Sequence, residues 1–70
     1  MNGPRPPYSQ SPIMTVTDCM EYLHCARSTI YRLLKRGAIP AFRIGTDWRF
    51  RKEDLDRWVL ELSTQERKRH

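Results

Sequence analysis

Two apolar stripes at helical spacing, parted by only a few residues, constrain this 70-residue chain more than any other feature. Val16, Cys19, Met20 and Leu23 recur at i, i+3, i+4 and i+7, which marks a helix with one buried face. After the break "HCAR" at 24–27, Ala26, Ile30, Leu33 and Leu34 continue at helical spacing. Thr15 is placed to cap the first helix, and Asp18 three residues on makes a capping box. Gly37 is placed to end the second in a left-handed conformation, and Lys35 and Arg36 in its last turn suit the helix dipole. The pattern predicts a first helix over about residues 16–23 and a second that stops at Gly37. Two short helices joined by so tight a turn cross steeply, as a helix-turn-helix.

The stretch "AIPAFRIGTDWRFR" then reads as a β-hairpin. Pro40 blocks further helix, and Phe42, Ile44, Trp48 and Phe50 alternate with polar residues on either side of "GTD". With those four turned inward, Arg43, Arg49 and Arg51 are expected together on the outer face. A last helix follows from Leu55, Trp58, Val59 and Leu62, again at i, i+3, i+4 and i+7, with Glu53 and Asp54 in the first turn where the dipole favours them. Trp48 and Trp58 fall in phase with Phe50 and Leu55, which favours core over a stacking platform for single strands. Residues 1–13 contain four of the five prolines and one charge, Arg5, so they are expected to form a flexible arm. Residues 63–70 are expected to be a basic tail, frayed or weakly helical. The folded domain is expected over residues 14–62.

Charge is sorted along this plan. Residues 15–26 carry a net −2, residues 27–36 a net +4, residues 37–52 a net +3 and residues 53–62 a net −3. A solvated surface would mix the signs; here the second helix and the hairpin form one basic span between acidic helices. With +5 overall, such a span turns toward a polyanion before contact. The second helix of this motif is the one that enters the major groove. Its apolar face is used by Ile30, Leu33 and Leu34, which leaves Arg27, Ser28, Thr29, Tyr31 and Arg32 to read base edges or grip phosphates. Lys35 and Arg36 add to the same charge. A membrane surface fits less well, because it would need bulky apolar residues exposed beside the charges, and these are assigned to the core.

Other chemistries find little support. Cys19, His24 and Cys25 offer three metal-ligating side chains, but a closed zinc site takes four, and the remaining candidate, His70, lies at the far end of the tail. His24 adjoins Cys25 in a tight turn, with no spacing for a nucleophile and its base. Asp54 and Asp56 diverge on a helix. No glycine-rich phosphate loop is present. The chain is expected to be no enzyme and to use no cofactor. No apolar run reaches the length of a membrane span and no signal peptide is evident, so the protein is expected in the cytoplasm, associated with the nucleoid.

"STIYRLLKRGAIPAFRIG" together with "WRFRKEDLDRW" closely resembles the small helix-turn-helix domains of the MerR/excisionase type, over about Met14 to Leu62. The resemblance implies a winged helix-turn-helix, mainly α with a small β-hairpin: helix, recognition helix, hairpin wing, packing helix. It implies recognition residues at Arg27, Ser28, Thr29, Tyr31 and Arg32, and wing contacts at Arg43, Thr46, Arg49 and Arg51 with Lys52 nearby. It departs at Cys25 and Ala26, where relatives carry Val-Ser. Ala26 is a poor N-cap, at a cost on the order of 1 kcal/mol relative to Ser. Because the sequence stops eight residues after Leu62, the resemblance favours the stand-alone members, excisionase-like directionality factors and small regulators, without a small-molecule effector. The expected partner is double-stranded DNA, read sequence-specifically, with an integrase or further copies of the chain side by side as prospective companions. The competing reading is a protein-interaction adaptor that docks an acidic partner.

Overall fold

The computed structural model describes residues 12–68, with side chains as far as residue 65. Residues 1–11 of the proline-rich arm, with Arg5, and His70 lie outside the described residues. The elements are β1 (Ile13–Met14), α1 (Val16–Leu23), α2 (Arg27–Lys35), β2 (Phe42–Ile44), β3 (Asp47–Arg51) and α3 (Lys52–Lys68). The strands form one antiparallel sheet in the order β1-β3-β2. This is a winged helix-turn-helix.

Each helix of the motif starts and stops for a local reason. Thr15 Oγ1 accepts from the Asp18 N–H at 3.1 Å, and Asp18 Oδ2 accepts from the Thr15 N–H at 3.1 Å, so both limbs of the capping box form. α1 ends at His24, which takes a left-handed conformation with φ 56°, and the Cys25 N–H donates to the Met20 carbonyl at 3.0 Å. α2 stops at Lys35 with Arg36 as its C-cap, and Gly37 just beyond takes the left-handed conformation, φ 65°. There the Gly37 N–H donates to Leu34 at 3.0 Å and the Ala38 N–H to Leu33 at 2.9 Å, the paired bonds of a Schellman motif. Ala26 occupies the N-cap of α2 and offers no side-chain bond to it.

Met14, Val16, Cys19, Ile30, Ile39, Phe50 and Leu55 make the buried core, with Leu33, Leu34, Trp48 and Trp58 packed against it. Every element except β2 contributes a buried residue. Burial, with the neighbouring Cys25 adding to it, pushes the Cys19 thiol up to about 12, so it acts as a small apolar side chain.

The hairpin departs from the alternation expected of it. Phe42 pairs with Arg49, Arg43 with Trp48 and Ile44 with Asp47. The connecting loop is therefore the two residues Gly45 and Thr46, and not the three of "GTD". Positive φ at Gly45, 63°, and not at Thr46 is the pattern of a II′ hairpin turn. Residues paired across a ladder share a face, so a one-residue difference in loop length exchanges the faces of one strand relative to the other. Arg43 consequently lies with Trp48 and Phe50 on one face, while Arg49 and Arg51 lie with Phe42 and Ile44 on the other. Ile44 is 57% exposed. The three arginines do not share a face.

Two further features concern the ends. Ile13 and Met14 pair with Arg51 and Phe50, adding a third strand, and the Lys52 N–H donates to the Pro12 carbonyl at 3.0 Å. α3 runs past Leu62 as a helical extension to Lys68. Its apolar stripe packs only near its start: Leu55 is buried, while Val59 and Leu62 are exposed. Beyond that point, Ser63 and Thr64 return their hydroxyls to the carbonyls of Val59 and Leu60.

Candidate nucleic-acid interface

α2 spends Ile30 on the core and leans Leu33 and Leu34 against it. Arg27, Ser28, Tyr31, Arg32, Lys35 and Arg36 are exposed, and Thr29 is half-buried. Neighbours on a helix surface lie four residues apart, so the exposed side divides into two rows. Arg27, Tyr31 and Lys35 form the row toward the wing. Ser28, Arg32 and Arg36 form the row beyond it.

The row toward the wing is tied to its surroundings. Arg27 Nη2 donates to Thr17 Oγ1 at 2.9 Å, across from α2 to the first turn of α1. Thr17 was not singled out from sequence, because one exposed threonine carries no periodic signal; its role emerges only where α1 and α2 meet. Tyr31 borders two shallow depressions. One is shared with Thr15, Thr17, Thr46, Trp48 and Arg49, the other with Leu34, Lys35, Arg43 and Trp48. α2 and the wing thus meet along a concave seam with Tyr31 at its middle.

The wing's cations differ in their surroundings. The Arg43 guanidinium lies 4.3 Å from the centroid of the Trp48 ring. Arg49 folds back on its own strand, with Nη1 donating to the Trp48 carbonyl at 2.9 Å and Nη2 3.8 Å from Asp47 Oδ2. Thr46 is exposed in the turn. Arg51 and Lys52 are engaged elsewhere. Arg51 pairs with Glu53 at 3.1 Å and Asp54 at 4.0 Å, and Lys52 Nζ bonds Asp56 Oδ2 at 2.9 Å. Both border a separate depression with Pro12, Ile13 and Glu53.

Of the residues singled out from sequence, the structure gathers Tyr31, Lys35, Arg43, Thr46 and Arg49 along one seam, with Arg27 tied to its edge through Thr17. Ser28, Thr29, Arg32 and Arg36 continue outward on α2. Arg51 and Lys52 stand apart among the first-turn acids of α3.

Around Lys52 the pairing is reinforced. Tyr22 Oη donates to Asp56 Oδ1, and Lys52 Nζ lies 5.6 Å from the Tyr22 ring centroid. The bond to Asp56, followed by that to Tyr22, raises the Lys52 amine above its ordinary range. The Tyr22 hydroxyl, followed by Lys52, holds the Asp56 carboxyl below its own. Asp56 in turn raises the Tyr22 phenol.

The field that remains is positive on the α2 side. Arg32, Lys35, Arg36 and Arg43 enter no ion pair among the described residues. Guanidinium forks offer parallel donors to phosphate, and lysine offers a compact charge. Among the described residues no three His, Cys, Asp or Glu side chains gather to hold a metal ion. No helix of the described residues is long and apolar enough to cross a membrane.

A family model described as a helix-turn-helix domain matches residues 13–63. No curated protein and no solved structure matches the chain.

Proposed function

Because the chain belongs to the family of small helix-turn-helix domains, a DNA-binding family, we propose that it binds double-stranded DNA sequence-specifically, as a small regulator or an excisionase-like directionality factor. The observation that carries this reading is the seam: Tyr31 and Lys35 of α2 and the wing residues Arg43, Thr46 and Arg49 adjoin, with Tyr31 common to both depressions. A duplex whose major groove receives α2 would bring its flanking backbone to the wing. Arg32 is assigned to base edges, because it projects from α2 away from the wing; Arg27, Lys35, Arg36, Arg43 and Arg49 are assigned chiefly to phosphates. Arg51 and Lys52 are given a lesser part, since they border a depression apart from the seam and stand there among Glu53, Asp54 and Asp56. Catalysis has no part in this function.

The test is a salt titration of a labelled random duplex. Five cations at phosphates correspond to a slope of log K against log salt of about −4.5. Absence of duplex binding at low salt would overturn the reading in favour of an adaptor for an acidic protein. Selection from a random pool then distinguishes the two roles. Repeated adjacent sites with bending of the DNA indicate assembly beside an integrase, and a single operator indicates regulation.

A further inference from the structure

Arg43 differs from the other three cations of the wing and its boundary. Arg49, Arg51 and Lys52 are each within reach of an acid. The Arg43 side chain has no ion pair or hydrogen bond among the described residues, and its guanidinium lies instead on the Trp48 ring. The hairpin register places the two directly across from one another on a shared face. Trp48 is itself packed against the core, so the ring is a fixed surface. Stacking occupies the face of a guanidinium and leaves its N–H donors, which lie in its plane, free to bind a ligand. Lys35 and Tyr31 line the same depression from the α2 side.

We propose that the Arg43–Trp48 stack is a preformed phosphate seat, in which Arg43 grips a backbone phosphate beside the groove that receives α2. Lys35 supplies a second charge from across the seam. Trp48 is a positioning residue: it holds the fork in the plane a phosphate needs, so that less side-chain freedom is lost on binding. This rests on the DNA-binding reading and adds which phosphate contact is prearranged and by what.

The experiment is the salt titration of a random duplex repeated on the full chain with Arg43→Ala, Arg43→Lys, Trp48→Leu and Trp48→Phe. Arg43→Ala is expected to make the log–log slope shallower by about one unit. Trp48→Leu changes no charge and is expected to make it shallower to a similar degree, an effect that loss of packing alone would not produce. Trp48→Phe keeps a ring under the fork and is expected to retain most of the slope. Arg43→Lys keeps the charge but not the plane, and should show at least half of the affinity lost in Arg43→Ala. A folded Trp48→Leu with the original slope, or an Arg43→Lys with the original affinity, overturns the seat. If Trp48→Leu does not fold, Arg43→Lys decides, because Arg43 is exposed and its replacement leaves the core intact. Failure of the unmodified chain to bind any duplex removes both readings, whereas binding with a steep slope that no variant alters removes the seat alone.

Discussion

At the scale of single residues, the outer rows of α2 divide by the surroundings each side chain finds. Arg27 is held by Thr17, whereas Arg32 projects without an ion pair among the described residues. Arg32→Ala is expected to weaken binding at the preferred site by about 1–3 kcal/mol. An equal loss on every sequence would reassign Arg32 to phosphate; competition between selected and random duplexes measures the difference. Ala26 gives a stability prediction of the same scale. It sits at the N-cap of α2 in an extended conformation, φ −73° and ψ 154°, with no side-chain bond. Ala26→Ser supplies the missing acceptor and is expected to raise stability by about 1 kcal/mol, read as a higher urea midpoint at unchanged m. A midpoint that does not rise would show that the serine hydroxyl fails to reach the first turn.

At the scale of elements, the wing depends on its turn. Gly45 has φ 63° and nothing within 4 Å of where a Cβ would stand. The cost of Gly45→Ala is therefore conformational and not steric, about 1–2 kcal/mol for forcing an L side chain into the left-handed region. The variant should lower the urea midpoint and weaken duplex binding together, because the register that sets Arg43 against Trp48 originates in this turn. Full stability with full binding would show that another turn geometry can present the wing equally well. The helices were legible beforehand for a local reason. Thr15, Asp18, Gly37 and the 3.6-residue period each act over a few positions, and α1 begins and α2 ends where these signals stand. The two-residue β1 carries no period, so Ile13 and Met14 become a strand only because the edge of β3 is there to pair with them.

At the scale of the whole molecule, α1 and α3 are joined by Tyr22, Asp56 and Lys52. The folded Asp56 carboxyl is held below its usual value by the Tyr22 hydroxyl and then by Lys52. Its contribution to stability is therefore present above the ordinary carboxylate range near pH 4 and is lost as the pH falls through the lower folded value. Lys52 and Tyr22 are raised, so their contribution is present below about pH 10 and is lost as the pH rises through their folded values. Asp56→Asn should accordingly be less stable than the original chain between those limits, and the two stability curves should converge in acid below about pH 4. A constant offset down to strong acid would assign the loss to packing rather than to the paired charge. The groups are exposed, so the effect is small.

The sequence by itself determined the three helices, the N-cap of α1, the Gly37 terminus of α2, the sign of charge on each segment and the presence of a ribbon after α2. These follow from forces that act between near neighbours along the chain. The tertiary structure decided which cations remain available. The parity of a hairpin depends on whether its loop holds two residues or three, and "IGTDW" is compatible with either. The observed two-residue loop moves Arg43 to the Trp48 face and leaves Arg49 and Arg51 on the other. The start of α3 then sets Glu53, Asp54 and Asp56 beside Arg51 and Lys52. Charge counted along a chain adds linearly, but its field depends on neighbours in space, and only the fold supplies those.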